Sequence, residues 1–541
     1  MLAPSAHVDT FTRDNLPPAH LWPPLIFEHP DVQYPKRLNC AVELLDRTIA
    51  TYGGDRRCLV DAEGDEWSYA DLMRRSNQIA HVLVDDIRLV PGNRVLLRAP
   101  NSPWLVAWWL AVLRMGGVVV TTMPQLRRTE VRTVHEIARI NHSIVDDDLI
   151  DDLVAADIGK YTADTELRER VAGKPTDFPA VDTAADDVAL LAFTSGTTGR
   201  PKATMHFHRD VLANADTFSR HILRPEPGDL FTGSPPLGFT FGLGGLVVFP
   251  LRAGAASLLL PKGTPDVLLP AIARHRPTVL FTAPTAYRAI LSGLAEHDIS
   301  SLRRCVSAGE PLPLSTWDAF HQATGLRIID GIGTTEMLHI FISAADDDIR
   351  PGATGKPVPG YQAAVLDGFG KQVPDGELGR LAVRGPTGCR YLADERQDEY
   401  VRYGWNLTGD TYIRDEDGYF WYQAREDDMI ISAGFNIAGP EVEMALMRHR
   451  DVRECGVVGV PDPERTMLVK AYVVLEDGVT GDAAKARELQ EHCRREIASY
   501  KMPRLVEFIP ALPRTSTGKV QRFRLREMAA AAPHPASPTP A

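Results

Sequence analysis

The chain reads as an α/β protein: a large N-terminal domain of parallel sheets flanked by helices, with a smaller β-rich subdomain, and a small α+β C-terminal domain. Three observations predict this. The run Val95-Leu96-Leu97, a helical stretch at 103–115 and the run Val118-Val119-Val120 follow as strand, helix, strand, an order that sets helices on both faces of a parallel sheet. A second strand-to-helix step falls at 278–281 into 283–287. Beyond 360, the stretches 362–366 and 379–384 read as antiparallel strands, and 440–499 alternates helix (440–449), strands (457–460, 470–475) and helix (484–499). At 541 residues the chain is too long for one core. We divide it at 1–424 and 425–528, with an Ala/Pro-rich tail at 529–541 expected to be disordered.

In order, residues 1–35 carry many prolines and read as an extended lead-in against the body. Helical periodicity covers 38–50, and Leu72, Ile79 and Leu83 share one face of a helix over 70–84. The acidic run at 146–152 reads as solvated surface near a linker. Residues 188–192 form a short buried strand. The stretch 205–219 is expected to be a helix containing His206 and His208, which at that spacing do not share a face and are read as structural or solvent-facing. Residues 326–330 form another strand.

The formal net charge of −12 argues against a nucleic-acid partner and requires any anion site to supply its own positive potential. The six cysteines lie far apart with no CxxC pair, so neither a disulfide framework nor a thiolate metal site is expected, and a reducing cytoplasm is the default. Residues 1–15 lack a basic-then-apolar leader pattern, and the most apolar stretch, 104–113, is too short to cross a bilayer. No membrane partner is expected.

After the 188–192 strand comes Phe193-Thr194-Ser195-Gly196-Thr197-Thr198-Gly199-Arg200-Pro201-Lys202-Ala203. Glycines let backbone N–H groups approach a ligand, and hydroxyls plus the Lys202 ammonium add donors and charge, which suits a polyphosphate. The spacing is not that of the GxxxxGK[ST] loop, and the same composition also suits a solvated turn. Three more motifs follow: Gly331-Ile332-Gly333-Thr334-Thr335-Glu336, Thr408-Gly409-Asp410 and Pro513-Arg514-Thr515-Ser516-Thr517-Gly518-Lys519. These four, in this order, resemble the adenylate-forming superfamily of acyl-CoA synthetases, peptide-synthetase adenylation domains and luciferases, over essentially the whole chain apart from its two ends.

The resemblance implies an AMP-forming acid–thiol ligase using ATP, Mg²⁺ and coenzyme A. Thr194, Ser195, Gly196, Thr197, Thr198 and Lys202 would hold phosphates. Ala308, Gly309 and Glu310 would form the adenine shelf, and Asp330, Gly331 and Ile332 would also contact the nucleotide. Asp410 would accept from the ribose hydroxyls, with Tyr422 and Arg425 beside it. The Thr335 hydroxyl would meet the α-phosphate, and Glu336, a hard oxygen donor, would hold the metal. Lys519 would bridge the acid and the α-phosphate, Asp427 would be the hinge of a mobile C-terminal domain, and the Gly434 loop would line the thiol tunnel. Ala424 departs mildly from the Gly or Asp of many members.

The stretch 234–245 sets four glycines beside Phe239 and Phe241, which suggests backbone approaching a flat ligand, or ordinary core aromatics entering a helix. With 331–343 it resembles benzoate-type CoA ligases, and the lead-in and 205–210 look closest to 2-aminobenzoate–CoA ligases. The resemblance then implies that Phe239, Phe241, Gly333 and His339 line the acid pocket; His339 read alone is equally a core histidine satisfied by backbone. Gly238 leaves extra room. An aryl-acid adenylating enzyme that loads a carrier protein, and a catalytically silent ligand-binding homologue, are the rival readings. The family also implies a homodimer.

Overall fold

The structure, a computed structural model, describes residues 2–194, 201–432, 435–462, 465–514 and 519–531. The chain packs as two units: Met1–Ala364, Ala382–Thr408 and Asp417–Phe420 form the first, and Val365–Leu381, Gly409–Glu416 and Trp421–Ala541 the second. It passes between them within the strands Gln362–Leu366, Leu378–Arg384, Trp405–Arg414 and Phe420–Arg425.

The first unit holds two large sheets. One runs Tyr161–Ala163, His142–Val145, Arg94–Arg98, Val118–Thr121, Val188–Thr194, Lys202–Phe207, parallel until its last, antiparallel pair. The helix Pro103–Arg114 supplies the crossover between Arg94–Arg98 and Val118–Thr121. Ser102 caps it, Pro103 opens it, and all but one of its twelve side chains are buried. The second sheet has nine strands, parallel from Arg57–Val60 through Ala256–Leu258, Leu230–Gly233, Val279–Thr282 and Arg304–Ser307 to Ile328–Gly333, with antiparallel strands at each edge. The helices Pro265–His275, Pro284–Gly293 and Leu314–Thr324 pack apolar faces on it around Leu268, Ile272, Tyr287, Ile290 and Phe320.

In the second unit, Val452–Asp462 and Thr466–Leu475 pair antiparallel and Leu505–Phe508 adds a parallel strand. Helices Gly439–Met447 and Ala483–Glu496 close a core of Val442, Leu446, Val457, Val469, Val473 and Leu489. The helix Arg522–Ala531 carries regular structure three residues into the stretch expected to be tail.

One boundary is corrected. Residues 205–207, expected to open a helix over 205–219, instead complete the strand Lys202–Phe207, because it pairs antiparallel with Val188–Thr194; the helix begins at His208. Both His206 and His208 are fully buried, the structural one of the two alternatives expected of them. The acidic run folds into a turn and the helix Ile150–Ala155, where Asp152 accepts from the buried Arg98 guanidinium at 2.7 Å. All six cysteines are buried and free, and no helix among the described residues is long and apolar enough to cross a membrane.

Arg390 and Asp210 are both fully buried and form an ion pair. Removing one partner leaves the other charge uncompensated, so Asp210→Ala should lower unfolding free energy by about 3–5 kcal/mol. Denaturant titration of both proteins measures this.

Candidate active site

The strands Val188–Thr194 and Lys202–Phe207 set Thr194 opposite Lys202. Ser195, Gly196, Thr197 and Thr198 lie outside the described residues. Thr194 Oγ1 is buried with no hydrogen-bond partner among the described residues. Lys202 is half-buried, its Nζ 4.5 Å from the centroid of the Tyr391 ring and 5.9 Å from that of Tyr400.

The strand Ile328–Gly333 delivers the Thr335–Met337 turn, which the Thr334 hydroxyl caps by accepting from the Met337 N–H at 3.2 Å. A side chain at Gly333 would place its Cβ 2.5 Å from the His339 carbonyl oxygen, so only glycine lets the strand Ile340–Ser343 fold back so closely. His206 supports the turn from beneath, its Nε2 donating to the Thr335 carbonyl at 2.8 Å. Glu336 is buried, and Tyr391 Oη donates to its Oε1 at 2.5 Å. The second carboxylate oxygen remains as a hard donor, and Mg²⁺ typically takes one or two carboxylates with phosphates and waters, so this residue fits such an ion.

Asp330 lies within the strand Ile328–Gly333, its Oδ1 buried and without a partner among the described residues, and burial pushes its carboxyl up to about 7. It lines a cleft with Trp317, Ala344, Arg350 and Thr354. Gly331 sits against the Ile340 side chain, and Ile332 pairs with Ile342.

A second cleft, about 300 Å³ counted to its open mouth, brings Phe239, Phe241 and His339 together with Ala308, Gly309, Gly333 and Thr335. Gly309 adopts a left-handed φ of +92° after the buried Ala308, and Glu310 follows half-buried. His339 stands among aromatic rings, with Phe249 at 4.6 Å and Phe218 and Phe241 at 5.6 Å between centroids. Its Nε2 donates to the Phe241 carbonyl at 3.4 Å, its Nδ1 has no partner among the described residues, and burial lowers its pKa to about 3. The imidazole is therefore neutral at pH 7.

The glycines of this region serve the protein's own packing. A Cβ at Gly244 would fall 2.3 Å from His339 Cδ2, and one at Gly245 would fall 2.5 Å from the Phe281 ring. Gly238 leaves no spare room, since its Cβ would meet the Thr122 backbone at 2.7 Å. From Thr240 the chain is helical, so the expected ligand-facing loop ends at Phe239.

In the second unit Asp410 is buried and accepts from Arg425 Nη1 at 3.1 Å. Gly409 turns with φ +75°, and a Cβ there would sit 3.0 Å from the Arg425 guanidinium. Tyr422 packs edge-on to Tyr412 at 5.6 Å, and burial with the nearby Asp410 charge keeps its phenol protonated. Lys519 is exposed, one residue before the bridge that pairs Val520 with Arg514. Asp427 lies on the Glu426–Asp428 turn with its side chain outside the description, and Gly434 lies outside the described residues.

Sequence reading missed Tyr391 and the Asp210–Arg390 pair. No spacing connects them to the motifs; they meet because residues 390–392 run alongside the strand Lys202–Phe207 through Met205 N–H to Arg390 carbonyl and Leu392 N–H to Ala203 carbonyl bonds.

Residues 45–391 match the family model described as AMP-binding enzyme, and residues 441–519 match AMP-binding enzyme C-terminal domain. The benzoate–CoA ligase of Thauera aromatica is 32% identical over 514 residues, covering 92% of this chain and 97% of that protein. The crystal structure of the anthranilate CoA ligase AuaEII with anthranoyl-AMP aligns with TM-score 0.87 at 34% identity, covering 93% of this chain and all of that one. ATP-bound MatB from Rhodopseudomonas palustris aligns with TM-score 0.84 at 31% identity, covering 91% and 99%.

An unfolded histidine titrates near 6.5, whereas His339 in place stays neutral down to about 3. The unfolded chain therefore binds the extra proton between those values, and stability present above pH 6.5 is lost as pH falls. His339→Leu should make that loss shallower by up to about 1.4 kcal/mol per pH unit between roughly pH 5.5 and 4. Denaturant midpoints across this range test it.

Proposed function

The chain belongs to the AMP-binding enzyme family, and from that premise we propose that it is an ATP-dependent aryl-acid CoA ligase acting on 2-aminobenzoate or benzoate. The observation that carries this reading is the cleft in which Phe239, Phe241 and His339 adjoin Ala308, Gly309 and Thr335. Aromatic walls suit a planar ring, and the adjoining turn suits a nucleotide. The buried neutral His339 offers an acceptor nitrogen to a ring amine, which favours 2-aminobenzoate, as does similarity to an anthranilate CoA ligase.

A carboxylate is a poor electrophile, and its charge repels a triphosphate. Attack of its oxygen on the α-phosphorus expels pyrophosphate and leaves a mixed anhydride with AMP. Catalysis of such a step is mostly positioning and charge stabilisation. Lys519 would bridge the acid and α-phosphate oxygens, Thr335 would donate to the α-phosphate, and Thr194 and Lys202 would meet the outer phosphates. Ala308 to Glu310, Asp330, Gly331 and Ile332 would hold adenine, and Asp410, Tyr422 and Arg425 the ribose. Glu336 would hold magnesium, which when bound neutralises phosphate charge. The coenzyme A thiol then attacks the acyl carbon and AMP leaves, with Lys519 withdrawn as 425–528 turns about Asp427 and presents Gly434. No protein nucleophile is required.

ATP–pyrophosphate exchange over a panel of aryl and short-chain acids, with and without coenzyme A, tests the reading. Exchange with 2-aminobenzoate or benzoate and thioester formation are expected. Release of ADP, or no exchange with any aryl acid, would sink it; exchange without thioester would point to a carrier-protein acceptor. Lys519→Ala should slow adenylation at least about 100-fold yet still thiolate a supplied aryl-adenylate. Equal loss in both half-reactions would contradict a role confined to the first.

A further inference from the structure

Tyr391 is fully buried and touches two groups that the nucleotide reading places on opposite sides of the phosphate chemistry. Its hydroxyl donates to Glu336 Oε1 at 2.5 Å, and Lys202 Nζ stands 4.5 Å from its ring centroid. The phenol itself is held rigidly. The Tyr391 backbone N–H donates to Gln397 Oε1 at 2.8 Å, its backbone bridges Thr204, and the preceding residue is pinned by the buried Asp210. Tyr400 packs edge-on to the ring at 5.8 Å, and its hydroxyl lies 3.0 Å from Thr334 Oγ1 on the same turn.

An ammonium and a carboxylate this close to one side chain attract each other and would pair if nothing separated them. Direct pairing would cost each its task, since the carboxylate would lose a lone pair for a cation and the lysine its charge for phosphate. Among the described residues no salt bridge joins Lys202 to Glu336. Lys202 rests on the ring face instead, an interaction that holds a cation without neutralising it. Glu336 takes a neutral donor on one oxygen and keeps the other.

We infer that Tyr391 is a positioning residue and spacer for the nucleotide site: its hydroxyl orients the Glu336 carboxylate toward a phosphate-bound divalent cation, and its ring keeps the Lys202 ammonium from closing onto that carboxylate. The inference rests on the reading of Glu336 and Lys202 given under the proposed function. Contacts that orient a metal ligand from behind are typically worth 10–100-fold in metal affinity, so the effect is measurable.

The two halves separate by substitution. Tyr391→Phe keeps the ring and removes the hydroxyl; Tyr391→Leu removes both. Binding of Mn²⁺ is followed by the electron paramagnetic resonance of the free ion, with a non-hydrolysable ATP analogue at saturation. Binding of the analogue alone is followed calorimetrically in EDTA. Tyr391→Phe should weaken Mn²⁺ binding about 10-fold with analogue affinity in EDTA unchanged, and Tyr391→Leu should weaken both. In a Glu336→Gln background, Tyr391→Phe should add nothing further to the loss of Mn²⁺ affinity. Wild-type Mn²⁺ affinity in Tyr391→Phe, or an effect that adds fully to that of Glu336→Gln, overturns the inference while leaving the ligase reading intact. Failure of the wild-type protein to bind the analogue at all overturns the nucleotide reading and this inference with it.

Discussion

Two charges taken completely out of water, Arg390 and Asp210, set the geometry on which the candidate nucleotide site depends. Such a pair is tolerated only when each partner compensates the other, so the two chain segments that carry them have little freedom. Asp210 lies in the first turn of the helix that follows the strand Lys202–Phe207, where it also accepts from the Phe207 N–H at 2.9 Å. Arg390 lies 4.0 Å over the Phe207 ring and donates to the Met205 carbonyl. Residues 389–392 are thereby clamped along that strand, and Tyr391, next to Arg390, has one place to go: against Glu336.

The electrostatics of the first unit follow a consistent plan. The chain as a whole is acidic, with a formal charge of −12, so long-range attraction cannot recruit a polyphosphate. Histidine does not help, because burial lowers His206, His208 and His339 to about 3 and leaves all three neutral. In the proposed ligase, positive charge for the phosphates would come from lysine and arginine, placed so as not to pair prematurely with the carboxylates nearby. The phenol ring under Lys202 would meet that need without adding a competing negative charge.

Glycine in the 238–245 region illustrates how one residue type serves two different ends. An absent side chain allows backbone to approach a ligand or to approach the protein itself, and composition does not distinguish them. Here Gly242 stands where a Cβ would lie 2.3 Å from the Pro236 carbonyl oxygen, and Gly244 and Gly245 admit the rings of His339 and Phe281. The cleft keeps its shape because the helix can sit this close to those rings. The cleft has aromatic walls, and those walls are fixed by packing that the glycines make room for.

The parallel α/β body, the helix Pro103–Arg114 and the α+β character of 440–499 were legible in the chain, because hydrophobic period is a local property, and motif order was enough to point to the family. Contacts made across 180 residues, such as Arg390 with Asp210, leave no trace in spacing. That residues 205–207 belong to a strand was hidden for a related reason: pairing with Val188–Thr194 overrides the helical pattern that 205–219 shows by itself. The sequence by itself determined which chemical groups are available and in what order they occur. Only the tertiary structure decided which groups share a buried environment, because desolvation, ring stacking and charge pairing act between neighbours in space rather than along the chain.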